Sequence, residues 1–290
     1  MSEFLQFLFS GITVGSVYAM VALGFILIFN ASGVVNFAQG EFVMLGGMIT
    51  FFAHDAGLPM AAAATLAVLA TCIIGVALYK FAIEPARGAS VVALIIITIG
   101  ASIFLRGLAQ VVFDKQIHRF PAISGDAPIA VGGASILPQS LWIVGGALAV
   151  FVALYLFFAR TLAGKAVLAT ANNRLAAQLV GIGTNNMMTL SFALSAAIGA
   201  LGGILVTPLT MTSYDVGLTL ALKGFAGAIL CGMGSPFGAL VGGLLVGLIE
   251  AMTAGYISSE YKDAVAFIVI LLVLFVMPNG LFGRSPLERV

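Results

Sequence analysis

The sequence predicts an all-α, polytopic integral membrane protein with eight or nine transmembrane helices, some of them broken or re-entrant, and one cytoplasmic helix. Composition indicates the class, because 61% of the 290 residues are hydrophobic and only 8% are charged, against about a quarter in soluble domains. Long uninterrupted apolar runs favour helices over a β-barrel. A charged stretch at 160–174 interrupts these runs. We treat residues 1–290 as a single transmembrane domain.

Nine apolar segments are candidate crossings. Six are near the length of about 20 residues that spans a bilayer, namely 4–29, 34–53, 59–79, 91–113, 141–159 and 187–206. Three are shorter, namely 218–233, 237–254 and 264–277. Short segments interrupted by Gly or Pro, as at Gly234-Ser-Pro236, are typical of broken or re-entrant helices.

The segment from about 160 to 182 is polar and compatible with a helix. Unpaired polar groups are too costly in hydrocarbon for it to lie inside the bilayer, and its positive charges, Arg160, Lys165 and Arg174, predict the cytoplasmic side. Alternation of the spans then places the N-terminus outside. The loop at 113–139 is also outside and is long enough to form a lid or a docking surface.

Four charged residues fall within or near these spans: Glu41, Arg106, Lys223 and Glu250. Such residues are functional-site hypotheses by default. Arg106 and Glu250 lie toward span ends, where snorkelling explains them. For Glu41 and Lys223 we favour a role at a helix break or in the lining of a translocation path through the membrane. Two interpretations of this pair stay open: polar anchors near the membrane surfaces, or partners in one ion pair, since a buried unpaired Lys is costly.

A polar stripe precedes Glu41. Asn36 and Gly40 are four residues apart, so on a helix they share one face with Gln39 beside them. The candidates for the translocation path or a helix break are therefore Asn36, Gln39, Glu41 and Lys223. The 35 glycines include pairs four apart, such as Gly11 and Gly15, that let helix backbones approach closely.

The sequence shows no sign of catalysis. The two histidines are far apart, nothing resembles a nucleophile with its base, and we predict no catalytic residue and no metal site. The glycine-rich run at 232–238 lacks the G-x-x-x-x-G-K-[ST] pattern of a phosphate loop. A net charge of +1 argues against nucleic acid as a partner. With these functions excluded, a transport or structural role in the membrane is the remaining interpretation.

Three segments together carry a family resemblance. They are Gly33-Val-Val-Asn-Phe-Ala-Gln-Gly-Glu-Phe-Val-Met-Leu-Gly46, the stretch from Arg160-Thr-Leu-Ala-Gly-Lys165 to Gly181-Ile182, and Leu222-Lys-Gly-Phe-Ala-Gly-Ala-Ile-Leu-Cys-Gly-Met-Gly-Ser-Pro-Phe-Gly-Ala-Leu-Val-Gly-Gly243. In order and spacing they resemble the first of the two permeases of the high-affinity branched-chain amino acid ABC importers. Two departures are Gln39, where many relatives have His, and Asn173-Arg174, which replaces a common Pro-Glu.

The resemblance implies a multi-pass protein of the bacterial inner (plasma) membrane. Its implied partners are a second, non-identical permease, two ATP-binding subunits, a periplasmic substrate-binding protein and membrane lipid. ATP is bound and hydrolysed by the partner subunits, so the chain itself needs no cofactor. The segment at 160–182 resembles the one that contacts the ATPase subunits, and the implied coupling residues are Gly164, Lys165, Asn172, Asn173, Arg174, Ala176, Ala177 and Gly181.

More than one substrate and more than one class of membrane protein are compatible with the sequence. The resemblance implies branched-chain or related amino acids, and the wider family also handles urea, short amides and aromatic acids. An ion-coupled secondary transporter would need a midplane ion or proton site, for which only Glu41 and Lys223 are candidates. A proton-path subunit of a respiratory complex fits less well, because such subunits carry several buried Lys or Glu residues along one line.

Overall fold

The computed structural model describes residues 2–282 and folds them into eleven α-helices and one β-hairpin. The first five helices are α1 (Ser2–Ser32), α2 (Gln39–Asp55), α3 (Met60–Leu78), which continues into a π-turn (Tyr79–Ile83), α4 (Val91–Val112) and α5 (Pro138–Arg160). Between α4 and α5 lie the antiparallel strands β1 (Ile129–Val131) and β2 (Ala134–Ile136). The remaining helices are α6 (Leu162–Asn172), α7 (Arg174–Leu179), α8 (Thr184–Thr210), α9 (Val216–Leu230), α10 (Pro236–Tyr256) and α11 (Lys262–Val276). The fold is therefore mostly helical, with a short hairpin that the all-α prediction did not include.

Within residues 2–282, six helices are long and apolar enough to cross a membrane: α1, α3 with its π-turn, α4, α5, α8 and α10. The chain is a multi-pass membrane protein. Helix α10, which we expected to be short, has 21 residues. Helices α2, α9 and α11 have 17, 15 and 15 residues, or about 23–26 Å at 1.5 Å per residue, less than the hydrocarbon core of about 30 Å.

Helix α1 lies at the centre of the bundle and packs on α5, α8, α9 and α10. Its side chains are buried almost continuously from Tyr18 to Ile28. Glycines bring α10 against it: a Cβ added at Gly247 would overlap the backbone of Gly15, and one added at Gly243 would overlap Ala19. Lipid offers no hydrophobic drive for helix association, so this close approach supplies the packing contacts. The close packing predicted from the glycine spacing is confirmed.

The loops gather at two ends of the bundle. At one end the Asn30 side chain donates to the Gly234 carbonyl oxygen at 3.1 Å, and α6 and α7 lie at the same end. At the other end the Gln6 side chain contacts the Ser135 backbone, and residues 118 and 212 form a β-bridge. Alternation of the spans predicts this grouping, and we call the first the inner end and the second the outer end.

Helix α4 presents much of its surface to the outside of the bundle. Only five of its residues are buried, and large apolar side chains such as Ile96 and Ile103 are exposed. An exposed apolar helix face is the surface expected against lipid tails.

Candidate path and coupling sites

Helix α2 begins later than predicted. Residues 33–38 are not helical, and the helix starts at Gln39. The Asn36 side-chain oxygen accepts a hydrogen bond from the Ala38 N–H at 3.2 Å, a local bond that competes with helix formation. The predicted span at 34–53 was therefore wrong at its start, and Asn36 and Gly40 do not share a helix face. Asn36 is nevertheless fully buried.

Gln39 joins three helices at the first residue of α2. It is fully buried, and its amide nitrogen donates to the Ser195 carbonyl oxygen on α8 at 3.2 Å. The Ser195 hydroxyl lies 2.9 Å from the Gly24 carbonyl oxygen on α1 and also contacts the Gln39 side-chain oxygen. A Cβ added at Gly24 would overlap the Gln39 amide. The structure therefore places Gln39 at a helix junction.

Glu41 is paired with α4. Glu41 is only 1% exposed. Its Oε1 accepts hydrogen bonds from the Ser102 hydroxyl at 2.7 Å and from the Arg106 guanidinium at 3.1 Å. Of the two interpretations left open, the pairing of Glu41 with Lys223 is wrong, because residues of α4 supply the donors to Glu41. Arg106 is not explained by snorkelling alone, since its guanidinium reaches this buried carboxylate.

Lys223 belongs to a second cluster, formed by α1, α9, α10 and α11. Its Nζ lies 2.7 Å from Glu250 Oε1 and 2.8 Å from Asp263 Oδ1. The Tyr18 hydroxyl donates to Glu250 Oε2 at 2.7 Å, and Lys262 lies 3.5 Å from Glu250. Glu250 is buried at the centre of the cluster, so the end-of-span explanation for it was also wrong. Sequence reasoning missed Tyr18 and Asp263, because a tyrosine inside an apolar span and an aspartate just before one carry no specific signal in the sequence.

Helices α2 and α9 meet at their N-termini. A Cβ added at Gly40 would overlap the Gly217 carbonyl oxygen. Glu41 Oε2 faces the same turn, where a Cβ on Gly217 would lie 2.7 Å from it. Residues 211–215 lead to this junction from the outer end, since Thr212 pairs with His118 there and its side chain faces Gly47 of α2. Helix α9 therefore begins inside the bundle.

The outer loop is anchored on aromatic side chains. The His118 ring stacks on Phe51 with 4.2 Å between ring centroids, and its Nε2 lies 2.9 Å from Asp114 Oδ1. The hydrogen bond from His118 is the main cause that lowers the pKa of Asp114, with a further contribution from the Gln116 N–H. These contacts hold the loop over the outer end of α2.

The segment at 160–182 forms two helices rather than the one predicted. The Thr161 hydroxyl accepts from the Gly164 N–H at 2.9 Å, and the Asn173 side chain accepts from the Ala176 N–H at 3.0 Å. Each is an N-cap, so α6 and α7 begin separately. Arg160 is the last residue of α5.

The predicted coupling residues divide into buried and exposed groups. Gly164 is buried, because a Cβ there would overlap the Phe157 carbonyl oxygen, and Ala177 is also buried. Arg174 is half-buried and donates to the Asn185 side chain at 3.1 Å. The others are exposed at the inner end: Lys165, Asn172, Asn173, Ala176 and Gly181.

Sequence reasoning missed an apolar patch on α7. Leu175 is 73% exposed and Leu179 is 88% exposed, with Val180 beside them. Leu175 and Leu179 are four residues apart and therefore share a helix face. That spacing is a signal that could have identified them. Large apolar side chains exposed together beside polar residues mark surfaces that contact another protein or the membrane.

A chain of hydrogen bonds and one salt bridge connects α7 to the π-turn. Asn185, which accepts from Arg174, donates to Glu84 at 3.3 Å. Glu84 pairs with Arg87 at 2.8 Å, and Arg87 donates to the buried Tyr79 hydroxyl at 2.6 Å. These contacts connect α7, through Asn185 of α8, to the α3–α4 connection.

Comparison with known proteins identifies the family of the chain. Residues 7–274 match the family described as branched-chain amino acid transport system / permease component. The chain is 33% identical to the high-affinity branched-chain amino acid transport system permease proteins LivH of Salmonella typhimurium and BraD of Pseudomonas aeruginosa, in each case over 99% of this chain and 98% of the relative. A solved structure of PsaBC from Streptococcus pneumoniae in complex with Fab is similar in fold alone, at 16% identity, with a TM-score of 0.50 over 96% of this chain and 93% of that one. The chain belongs to the family of branched-chain amino acid transport system permease components.

Proposed function

We propose that this chain is one of two non-identical permease subunits of an ATP-driven importer in the bacterial inner membrane. It moves branched-chain or related amino acids that a periplasmic binding protein delivers. Relatives that match over 99% of the chain are named as permease proteins of branched-chain amino acid transport systems, and this match supports the substrate class. Two separate ATP-binding subunits hydrolyse ATP, and the permease carries no cofactor of its own.

The observation that carries the coupling role is the exposed apolar face of α7. Leu175 and Leu179 project at the inner end beside the exposed Ala176. A partner that covers these leucines removes apolar surface from water, which is worth about 25 cal/mol per Å². Arg174 and Asn185 hold α7 on the bundle. We assign residues 160–182 as the coupling segment and α7 as its contact with an ATPase subunit.

The three short helices complete the predicted crossings. Helix α9 begins inside the bundle and is preceded by the non-helical residues 213–215, and α2 follows the non-helical residues 33–38. Counting α2, α9 and α11 with the six long helices gives nine crossings, within the predicted eight or nine. Non-helical backbone at membrane depth is tolerated where protein or a water-filled cavity surrounds it.

The arrangement of buried charges favours ATP over an ion gradient as the energy source. Glu41 lies against Arg106 and Lys223 lies against Glu250. An ion-coupled transporter needs a carboxylate that exchanges its counter-ion during each cycle. A carboxylate held by a fixed guanidinium or ammonium is poorly suited to that exchange.

Reconstitution tests the proposal. The chain is purified with a second permease and two ATP-binding subunits from the same organism, placed in proteoliposomes, and supplied with a binding protein from that organism. We expect ATP-dependent, vanadate-sensitive uptake of leucine, isoleucine or valine, and no uptake when the second permease is omitted. Full uptake driven by a proton or sodium gradient without ATP would contradict the proposal. Full transport by this permease without the second one would show a homodimer.

A further inference from the structure

An apolar cleft separates α3 from α4. It has a volume of about 460 Å³ and lies between the last turns of α3, the π-turn and the middle of α4. Its lining is entirely apolar or glycine, and includes Ile74, Phe81, Gly100 and Phe104. A Cβ added at Gly100 meets no atom within 4 Å, so this glycine leaves part of the space open. Because its walls carry no hydrogen-bonding side chain, the cleft suits a hydrocarbon chain and not a polar solute.

The cleft opens on the surface of the bundle that faces lipid. Phe81 is 83% exposed and Phe104 is 67% exposed, and both line the cleft. Ile103, beside Phe104, is exposed on the same apolar surface of α4. An acyl chain can therefore enter the cleft from the bilayer without displacing any part of the protein.

The cleft has the length of one acyl chain. On α4 its lining runs from Ile97 to Leu108, which is eleven residues, or about 16 Å at 1.5 Å per residue. One leaflet of a hydrocarbon core of about 30 Å is about 15 Å thick. On the other side the lining runs from Ile74 to Ala82, so the cleft reaches the inner end of α3. Its position matches a chain of the inner leaflet.

A free cation flanks the cleft. Lys80 is exposed and lies three residues after the lining residue Ala77, so the two are neighbours on the helix surface. Among residues 2–282, Lys80 has no carboxylate within salt-bridge distance. The nearby Glu84 is instead held by Arg87 at 2.8 Å. The Lys80 ammonium is therefore left available to an anion.

Lys80 lies at the level of the lipid headgroups. Helix α3 begins at Met60, which packs in one cluster with Phe120 of the outer loop. Lys80 follows twenty residues later, or about 30 Å along the helix, which is the thickness of the hydrocarbon core. The N-terminus of α4 at Val91 lies at the same inner end, and the positive end of its dipole also favours an anion.

We infer that the cleft between α3 and α4 is a binding site for an anionic phospholipid of the inner leaflet, with one acyl chain in the cleft and the phosphate at Lys80. Basic sites between transmembrane helices on the cytoplasmic side bind anionic headgroups in this way. The inference goes beyond the proposed transport function, since it does not depend on which solute is moved. The competing occupant is a helix of the second permease.

Photocrosslinking identifies the occupant. In the assembled complex, p-benzoylphenylalanine, which inserts into nearby C–H bonds on illumination, replaces Phe104 or, as a control, Ile103. Ile103 is similarly exposed on the same helix and does not line the cleft. The complexes are placed in nanodiscs of equal amounts of phosphatidylglycerol and phosphatidylethanolamine, and the adducts are identified by mass spectrometry. We expect phosphatidylglycerol to exceed phosphatidylethanolamine at least about three-fold at position 104, because Lys80 attracts anionic lipid, and the ratio to be close to one at position 103.

Substitutions test the two parts of the site. Lys80→Gln should bring the ratio at position 104 close to one, and Lys80→Arg should preserve it, because the positive charge attracts the headgroup. Gly100→Leu fills the cleft and should also bring the ratio close to one. Gly107→Leu, in open space outside the cleft, is the matched control and should leave the ratio unchanged. An unchanged ratio in Lys80→Gln would overturn the role of the ammonium, and an unchanged ratio in Gly100→Leu would overturn the place of the acyl chain.

Three outcomes without these substitutions would overturn the site. They are equal ratios at positions 103 and 104, lipid adducts at position 103 alone, and adducts of position 104 with the second permease, which would show that a protein helix covers the cleft. All of these measurements record what touches the cleft and not uptake. A failed lipid site in a complex with normal ATP-dependent uptake would therefore leave the importer assignment intact, and a confirmed site in a complex whose uptake ignores ATP would overturn only that assignment.

Discussion

Lys223 on α9 and Glu250 on α10 form a buried salt bridge, with 2.7 Å between the ammonium nitrogen and the carboxylate oxygen. The Tyr18 hydroxyl from α1 satisfies the other carboxylate oxygen, and Asp263 from α11 reaches the same ammonium. Four helices therefore share one cluster of charges. Because α11 is short and many of its side chains are exposed, the cluster is a main attachment of its N-terminal end.

Removing one member of this salt bridge should destabilise the protein strongly. Lys223→Met leaves Glu250 with only the more exposed Lys262 at 3.5 Å, and breaking a buried pair costs about 3–5 kcal/mol. The double variant Lys223→Met/Glu250→Met should lose less than the sum of the single losses. Unfolding free energy in mixed micelles measures both. The control Lys262→Met, at a more exposed position 3.5 Å from Glu250, should cost under about 1 kcal/mol, and additive losses at 223 and 250 would argue against the bridge.

The α1–α10 contact should not tolerate a methyl group. In Gly247→Ala the new Cβ overlaps the Gly15 backbone, so the helices must separate, at a cost of about 1–3 kcal/mol. Gly100→Ala on α4 is the matched control, because a Cβ there meets nothing within 4 Å. Alanine improves helix propensity by up to about 1 kcal/mol, so the control should be neutral or more stable. Equal melting temperatures for the two variants would contradict the packing.

Gly24 and Gln39 should be energetically coupled. Gly24→Ala overlaps the Gln39 amide, and we expect a loss of about 1–3 kcal/mol from overpacking. In a Gln39→Ala background the same substitution should cost under about 0.5 kcal/mol, because the overlapping atoms are gone. Thermal unfolding of the four proteins of this cycle measures the coupling, with Gly107→Ala as the control in open space. A full loss in both backgrounds would show that Gly24 is needed for another reason.

The exposed leucines of α7 should decide ATPase docking. Leu175→Asp with Leu179→Asp places charge on the apolar face and should reduce co-purification of the ATP-binding subunits at least ten-fold, while the permease stays inserted and folded. Ile117→Asp, an equally exposed apolar position in the outer loop, is the control and should leave docking unchanged. Ala177→Asp is a less useful test, because Ala177 is buried and a charge there would disrupt α7 itself. Normal coupled uptake in the leucine variant would remove α7 from the interface.

The long membrane helices could be predicted from the sequence, because they depend on local composition. Apolar runs of membrane length predicted the long helices to within a few residues at most ends, and Gly234-Ser-Pro236 correctly marked the start of α10. The three quoted segments led to the family, which the comparisons confirm. Glu41 and Lys223 were identified as significant because a charge at membrane depth is unusual wherever it occurs.

By itself, the sequence determined the membrane class, the positions of the long helices and the family, since each follows from residues that are close along the chain. Only the tertiary structure decided which charges pair, because Glu41 and Arg106 are 65 residues apart and only the packing of α2 on α4 brings them together. It also decided that Asn36 precedes a helix and that Gly164 and Ala177 are buried. These properties depend on contacts between distant segments, and local pattern carries no information about which distant segments will meet.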